Sequence, residues 1–223
     1  MRARTIGVIV VAGVLVVGGV VFGPRLYADL ANRSAAAPPE LTSGSESSLD
    51  PAALDGQWTL AAGSYAGYRV HEVLQGNDAN VVGRTETVEG TLTIAGGAVT
   101  AAEVIVDVES IATDQPPRDA YFRGTAMEVG TFPTATFTLT APAELPDRGT
   151  DVALSGDLTV HGVTLPVELD ASAAVDSAGA IQVVGAIPVT FSDFGVAAPD
   201  LGFVVVDPDG EIEFSLLWEP ATS

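Results

Sequence analysis

The sequence predicts an all-β domain carried behind a single N-terminal membrane helix. Apolar side chains recur at every second position from Trp58 onward, turn-forming residues interrupt them at short intervals, and one unbroken apolar run occupies the N-terminus. Period two is the spacing of a strand with one face in a core and the other in water.

The apolar run, IGVIVVAGVLVVGGVVF, extends from Ile6 to Phe22 without a polar side chain. At about 1.5 Å of rise per residue it makes roughly 25 Å of helix, near the lower limit for crossing a bilayer. Arg2 and Arg4 precede it and Arg25 and Arg33 follow it, which favours a cytoplasmic N-terminus. The first small-residue cleavage pattern, Ala35-Ala36-Ala37, lies well beyond the apolar core, so the segment reads as an uncleaved signal anchor. Residues 1–23 are assigned to the anchor. Residues 24–54, rich in Pro, Ser, Gly and Ala, form a flexible linker, and 55–223 form the folded domain. Such a linker spans roughly 30 Å, so the domain can touch the membrane or float clear of it. The expected location is the cell membrane, single-pass, with the C-terminal domain outside the cytoplasm.

Within the domain the alternation is explicit. Val104, Val106 and Val108 oppose Ile105, Asp107 and Glu109. Leu154, Leu158 and Val160 oppose Ser155, Asp157, Thr159 and His161. Ile212, Phe214, Leu216 and Trp218 oppose Glu211, Glu213, Ser215 and Glu219. Turn signals at Gly96-Gly97, Pro142–Gly149, His161-Gly162, Ser177–Gly179 and Asp207–Gly210 divide the chain into eight or nine antiparallel strands. A short helix is expected between Arg118 and Met127, with Asp119 as its cap. The apolar faces are hidden either by packing two sheets or by closing one sheet on itself, and strands joined as successive hairpins lean towards a closed barrel. Small residues in the inward phase, Ala66, Gly156, Ala171 and Gly185, leave space inside.

The charge is one-sided. The formal net charge is −20 at pH 7, and the nine basic residues are all arginine. Phosphate backbones repel such a domain, so nucleic acid is excluded as a partner. The absence of cysteine excludes disulfides, thiolate metal sites and lipid attachment through a cysteine.

Catalytic constellations are absent. Asp193-Phe194-Gly195 has the letters of a kinase magnesium motif, but there is no lysine to hold a phosphate. His71 and His161, the only histidines, stand far apart in the polar phase and are expected to be solvated or locally hydrogen-bonded. Asp207-Pro208-Asp209-Gly210 begins like a calcium loop but lacks the ligands that must follow, and reads as a turn between the last two strands. No enzyme, metal site or cofactor is expected. Arg118 and Asp119 form an adjacent charge pair in the longest irregular connection, suited either to fixing that loop or to meeting a ligand head group.

The residues from Trp58 to Trp218 resemble the YceI-like family of polyisoprenoid-binding, lipocalin-like proteins. The resemblance rests on Val-Asp-Val-Glu-Ser-Ile at 106–111, Arg118-Asp119, Thr-Phe-Pro-Thr-Ala-Thr-Phe at 131–137, Gly-Asp-Leu-Thr-Val-His-Gly-Val-Thr at 156–164, and Asp193-Phe194-Gly195. It implies an eight-stranded antiparallel lipocalin-like barrel whose lumen holds an isoprenoid or another long amphiphilic chain. The implied lining is Tyr68, Val70, Phe137, Leu154, Leu158 and Phe191, with Phe122, Phe132 and Phe194 at an end. Where many relatives carry a histidine near the end of the first strand, this chain has Glu72. The expected function is a membrane-tethered carrier of an isoprenoid or quinone-type lipid. The alternative is a non-catalytic envelope interaction module whose barrel is plugged by its own side chains. The expected partners are the lipid, the membrane through the N-terminal helix and, in a homodimer, a second copy of the chain.

Overall fold

Each alternating run becomes a strand with its apolar phase turned inward. In the computed structural model, which describes residues 28–29, 32–33, 35–42, 51–146, 150–175 and 179–221, the strands are β1 (Gly56–Leu60), β2 (Tyr65–Leu74), β3 (Asn77–Thr85), β4 (Val88–Ala95), β5 (Ala98–Asp107), β6 (Thr134–Leu139), β7 (Ala143–Glu144), β8 (Asp151–Val160), β9 (Val163–Val175), β10 (Ile181–Thr190) and β11 (Val204–Pro220). All pairings between these strands are antiparallel.

The sheet closes. β1 pairs with β4 on one side and with β11 on the other, which completes a ring in the order β1-β4-β5-β6-β8-β9-β10-β11. The β2–β3 hairpin continues this wall, with β2 lying along Val204–Ser215 of β11 beyond the stretch that β1 occupies. The first two strands of the barrel are thus each broken once. The result is an eight-stranded antiparallel barrel; the ring has no free edge, while the outer edge of β3 carries, among the described residues, only the Arg84–Ala112 bridge.

Tight hairpins set the register. Gln75-Gly76, Gly96-Gly97 and His161-Gly162 each join two strands through two residues that both have positive φ. That backbone matches the strand twist, and glycine adopts it without steric cost.

Several expectations are corrected. Asp207–Gly210 is not a turn between strands but an irregularity within β11, where the register against β2 shifts between Val206 and Gly210. Pro208 has no N–H for the ladder, so the strand bulges there and then resumes. The short helix is Pro116–Tyr121, continuing as a wider turn over Phe122–Ala126, and Asp119 does not cap it. His161 is a turn residue with φ 51°, not an outward strand residue. The inward glycines do not leave empty space. The ring of Phe137 lies where a Gly156 side chain would begin, 2.4 Å from the ideal Cβ position, and the Phe214 ring lies 2.6 Å from that of Gly185.

The expected span Ile6–Phe22 lies outside the described residues, among which no helix is long and apolar enough to cross a membrane. Residues 35–42, from the stretch assigned to the linker, lie hydrogen-bonded on the outside of the barrel. Ala36 and Ala37 accept through their carbonyls from Arg69 and Arg84, and Thr42 donates to Gln182 through both its N–H and its hydroxyl, at 2.9 and 2.8 Å. Beneath this strap Glu213 is only 1% exposed and is held by Arg69 and Arg84 together. A carboxylate in the outward phase of β11 is buried because chain and guanidinium cover it.

Candidate functional site

The inward residues line two adjoining cavities, a deep lobe and a mouth lobe. The deep lobe, a cavity of about 140 Å³, is bounded by Phe137, Leu154, Leu158, Phe214 and Trp218 and has no charged residue on its wall. The mouth lobe, about 610 Å³, is lined by Tyr68, Val70, Phe122, Phe191 and Phe194 among others. Ala66, Val106, Ala135 and Ile212 border both lobes, so they form a waist between them. The mouth lobe alone falls within the roughly 300–1,000 Å³ of small-molecule sites. A barrel plugged by its own side chains has no such space.

The structure sorts the residues singled out from sequence. Tyr68, Val70, Phe122, Phe191 and Phe194 line the mouth lobe, whereas Phe137, Leu154 and Leu158 line the deep one. Phe132 borders neither lobe. It packs on the β8–β9 turn, its ring 2.5 Å from the ideal Cβ position of Gly162 and edge-on to His161 at 4.5 Å between centroids. His161 also contacts the Phe194 carbonyl oxygen and the Glu128 carboxylate, each at 3.2 Å, so it ties three segments together at this end. His71 is half-buried on the outer face, flanked by Asp78 and Asp207 at 3.3 and 3.0 Å.

Arg118 and Asp119 diverge, as neighbours on one helical turn must. Arg118 reaches into the mouth, where its Nη2 lies 3.2 Å from Glu72 Oε1 while Nη1 lies 3.0 Å from Asp114 Oδ1. Asp119 is buried and accepts from the Thr113 N–H at 2.9 Å and from its hydroxyl at 2.7 Å. It fixes the loop that leads into the helix. Arg123 donates to the Ile111 carbonyl at 3.2 Å and anchors the other end of the segment.

Glu72, noted in the sequence only as a departure from its relatives, is a buried polar residue of the lumen whose role sequence reasoning missed. It follows Tyr68 and Val70 in the inward phase of β2 and is 6% exposed. An ionisable residue in an otherwise apolar phase is the signal that marks it. A carboxylate held there needs a partner, and Arg118 supplies it from across the opening. Tyr68 stacks on Phe122 with 4.9 Å between centroids. Burial, opposed by Arg118 and reinforced by Asp119 and Glu72, raises its phenol well above the ordinary tyrosine range, so it stays a neutral O–H. Gln115 adds an amide to the same rim.

The arrangement is a pair of adjoining apolar cavities with a polar group on the wall of the outer one, suited to an elongated molecule with a hydrogen-bonding head. Among the described residues no three His, Asp or Glu side chains gather as a metal ion requires.

A family model for the YceI-like domain matches residues 58–217, the barrel but for its first two and last three residues. The chain belongs to the YceI-like family. Within it, a UPF0312 protein of Vibrio vulnificus strain YJ016 is 36% identical over 94 residues, which make up 41% of this chain and 49% of that protein. A UPF0312 protein of Pectobacterium atrosepticum is 39% identical over 69 residues, 30% of this chain and 34% of its own length. The match thus spans half or less of the curated relatives. Among solved structures, a polyisoprenoid-binding domain from Saccharophagus degradans, implicated in plant cell wall breakdown, superposes with a TM-score of 0.59 at 19% identity, covering 74% of this chain and 98% of that one. Burkholderia cenocepacia BcnA superposes with a TM-score of 0.55 at 22% identity, covering 70% of this YceI-like chain and 96% of its own. At these identities the two structures establish a shared fold.

Proposed function

We propose that this protein is a non-catalytic carrier that holds a long-chain lipid of isoprenoid or quinone type in its barrel, outside the cytoplasm and tethered to the membrane by Ile6–Phe22. The observation that supports it most is the barrel interior: two adjoining apolar cavities, the outer one about 610 Å³, with the polar group of Glu72, Arg118, Gln115 and Tyr68 on the wall of the outer one. The solved domain from Saccharophagus degradans, whose fold this chain shares, is described as polyisoprenoid-binding, which points the same way.

Energetics suit a carrier. Burying a CH₂ gains about 0.8 kcal/mol against water, so one isoprene unit gains roughly 3–4 kcal/mol. A bilayer offers nearly the same gain, and exchange between bilayer and barrel is therefore close to balanced. The exposed large hydrophobics among the described residues are Tyr121, Leu201, Phe203 and Val205. Three of them, Tyr121, Leu201 and Phe203, line the mouth lobe, where a lipid would pass between membrane and lumen.

The test is uptake. Full-length chain in mild detergent is mixed with polyprenol or menaquinone, separated by gel filtration and extracted. One lipid per chain co-eluting with the protein is expected, and no lipid above a matched unrelated barrel would overturn the reading. Tethering is tested by fractionation: the chain should resist alkaline extraction from membranes and be cut by protease added to spheroplasts. Recovery from the soluble cytoplasm would contradict it.

A further inference from the structure

We propose that the mouth of this barrel selects an uncharged oxygen head group, a hydroxyl or a carbonyl, and turns away phosphate-headed lipids. The inference rests on the carrier reading above and narrows its cargo.

The charges at the mouth carry it. Among the described residues lining the mouth lobe the charged ones are Glu72, Glu211 and Arg118. Arg118 is thus the single cation on that wall, and its guanidinium already lies between the carboxylates of Glu72, at 3.2 Å, and Asp114, at 3.0 Å. Asp119, buried one residue along, adds another negative charge close by. The local balance is negative before any ligand arrives.

A phosphate monoester brings about −1.5 to −2 charges at neutral pH. To reach Arg118 it would have to draw the guanidinium away from two carboxylates and then sit against Glu72, which is 6% exposed and so poorly screened. The helix nearest the mouth begins Pro116-Pro117, and proline has no N–H to offer an anion. The chain's net charge of −20 adds a long-range barrier to an anionic head group.

An uncharged oxygen meets none of these costs. A carbonyl can accept from the Gln115 amide, the Tyr68 O–H or the Arg118 fork, and a hydroxyl can in addition donate to Glu72. Tyr68, kept protonated by burial, remains a neutral donor throughout the physiological range. The buried Glu72–Arg118 pair then acts as a specificity device: its carboxylate holds the cation that a phosphate would otherwise capture.

The test is a competition with matched tails. Full-length protein in mild detergent is offered polyprenol, polyprenyl monophosphate and menaquinone of equal isoprenoid length, and occupancy is read by native mass spectrometry. Polyprenol or menaquinone should bind at least about tenfold more tightly than the phosphate, and Glu72→Gln, which removes the charge but keeps the shape, should narrow that gap. Which of the two neutral lipids wins identifies the head as hydroxyl or carbonyl. Phosphate binding as tightly as either in the native protein would overturn the proposal while leaving the carrier reading intact. Retention of none of the three would sink the carrier reading itself. The native comparison decides even if Glu72→Gln fails to fold, and a folded Glu72→Gln with an unchanged ratio would remove Glu72 from the selection.

Discussion

Replacing Ala135 with phenylalanine should divide the lumen at its waist. Ala135 lies on β6 opposite Val106 of β5, and both border the mouth and deep lobes. Because Ala135 borders both cavities, a benzyl group at this position is expected to project into cavity space. The cost of over-packing, about 1–3 kcal/mol in a filled core, is therefore not expected, and the melting temperature should match or exceed that of the native chain. Binding should change in a graded way. Each isoprene unit that enters the lumen from water contributes roughly 3–4 kcal/mol, a few hundredfold in Kd. In the native protein affinity should climb with chain length until both lobes are full. In Ala135→Phe the climb should stop at least one unit sooner, because the deep lobe of about 140 Å³ is shut off. Calorimetric competition with isoprenols of one to four units in detergent-free buffer measures the two ladders. Identical ladders, with the variant folded, would refute a tail that threads the waist.

Three further perturbations probe other parts of the structure. Leu201→Ser combined with Phe203→Ser should slow lipid uptake from zwitterionic vesicles by about tenfold or more, since residues that are 57% and 56% exposed at the mouth are lost from the proposed membrane contact; equal transfer rates by stopped-flow fluorescence would contradict this. Tyr68 ties stability to alkaline pH. Its folded pKa lies above the unfolded value of about 10, so the folded chain keeps a proton that the unfolded chain loses, and the contribution is full below pH about 10 and falls as pH rises beyond it. Urea midpoints at high pH should therefore drop less in Tyr68→Phe than in the native protein, and equal drops would exclude the link. Glu213→Ala should destabilise the barrel by about 2–3 kcal/mol, because Arg69 and Arg84 lose their shared carboxylate; the value sits at the low end for buried pairs because both arginines keep some contact with water. A change near zero in urea denaturation would show that the strap and solvent hold them unaided.

Much of the barrel was legible because period two states both the element and its buried face. Val104 and Val106, Leu154 and Leu158, and Ile212, Phe214 and Trp218 all turn inward as their alternation requires. Closure was favoured by the hairpins, and the Gly-Gly and His-Gly dipeptides marked two of them. The misreadings have physical causes. Asp207–Gly210 carries every mark of a turn, yet the pairing of β10 with β11 continues as far as Asp209 and absorbs those residues as a bulge. Gly156 and Gly185 read as voids, but rings from the adjacent strands occupy them, which only cross-strand register reveals. Glu213 sits in the polar phase and reads as solvated; its burial depends on residues 35–42, far away in sequence. The candidate site was half legible. The aromatic and aliphatic lining followed from phase and resemblance, whereas the partnership of Glu72 with Arg118 spans 46 residues and no local pattern announces it.

The most direct measurement takes the protein as cells make it. Full-length chain, purified from its cells in a mild detergent, is examined by native mass spectrometry and then extracted with organic solvent. A stoichiometric adduct that extracts as an isoprenoid or quinone lipid is the predicted result. A bare chain that also fails to take up added polyprenol or menaquinone would contradict it, and would leave the barrel as an interaction module whose partner is another protein.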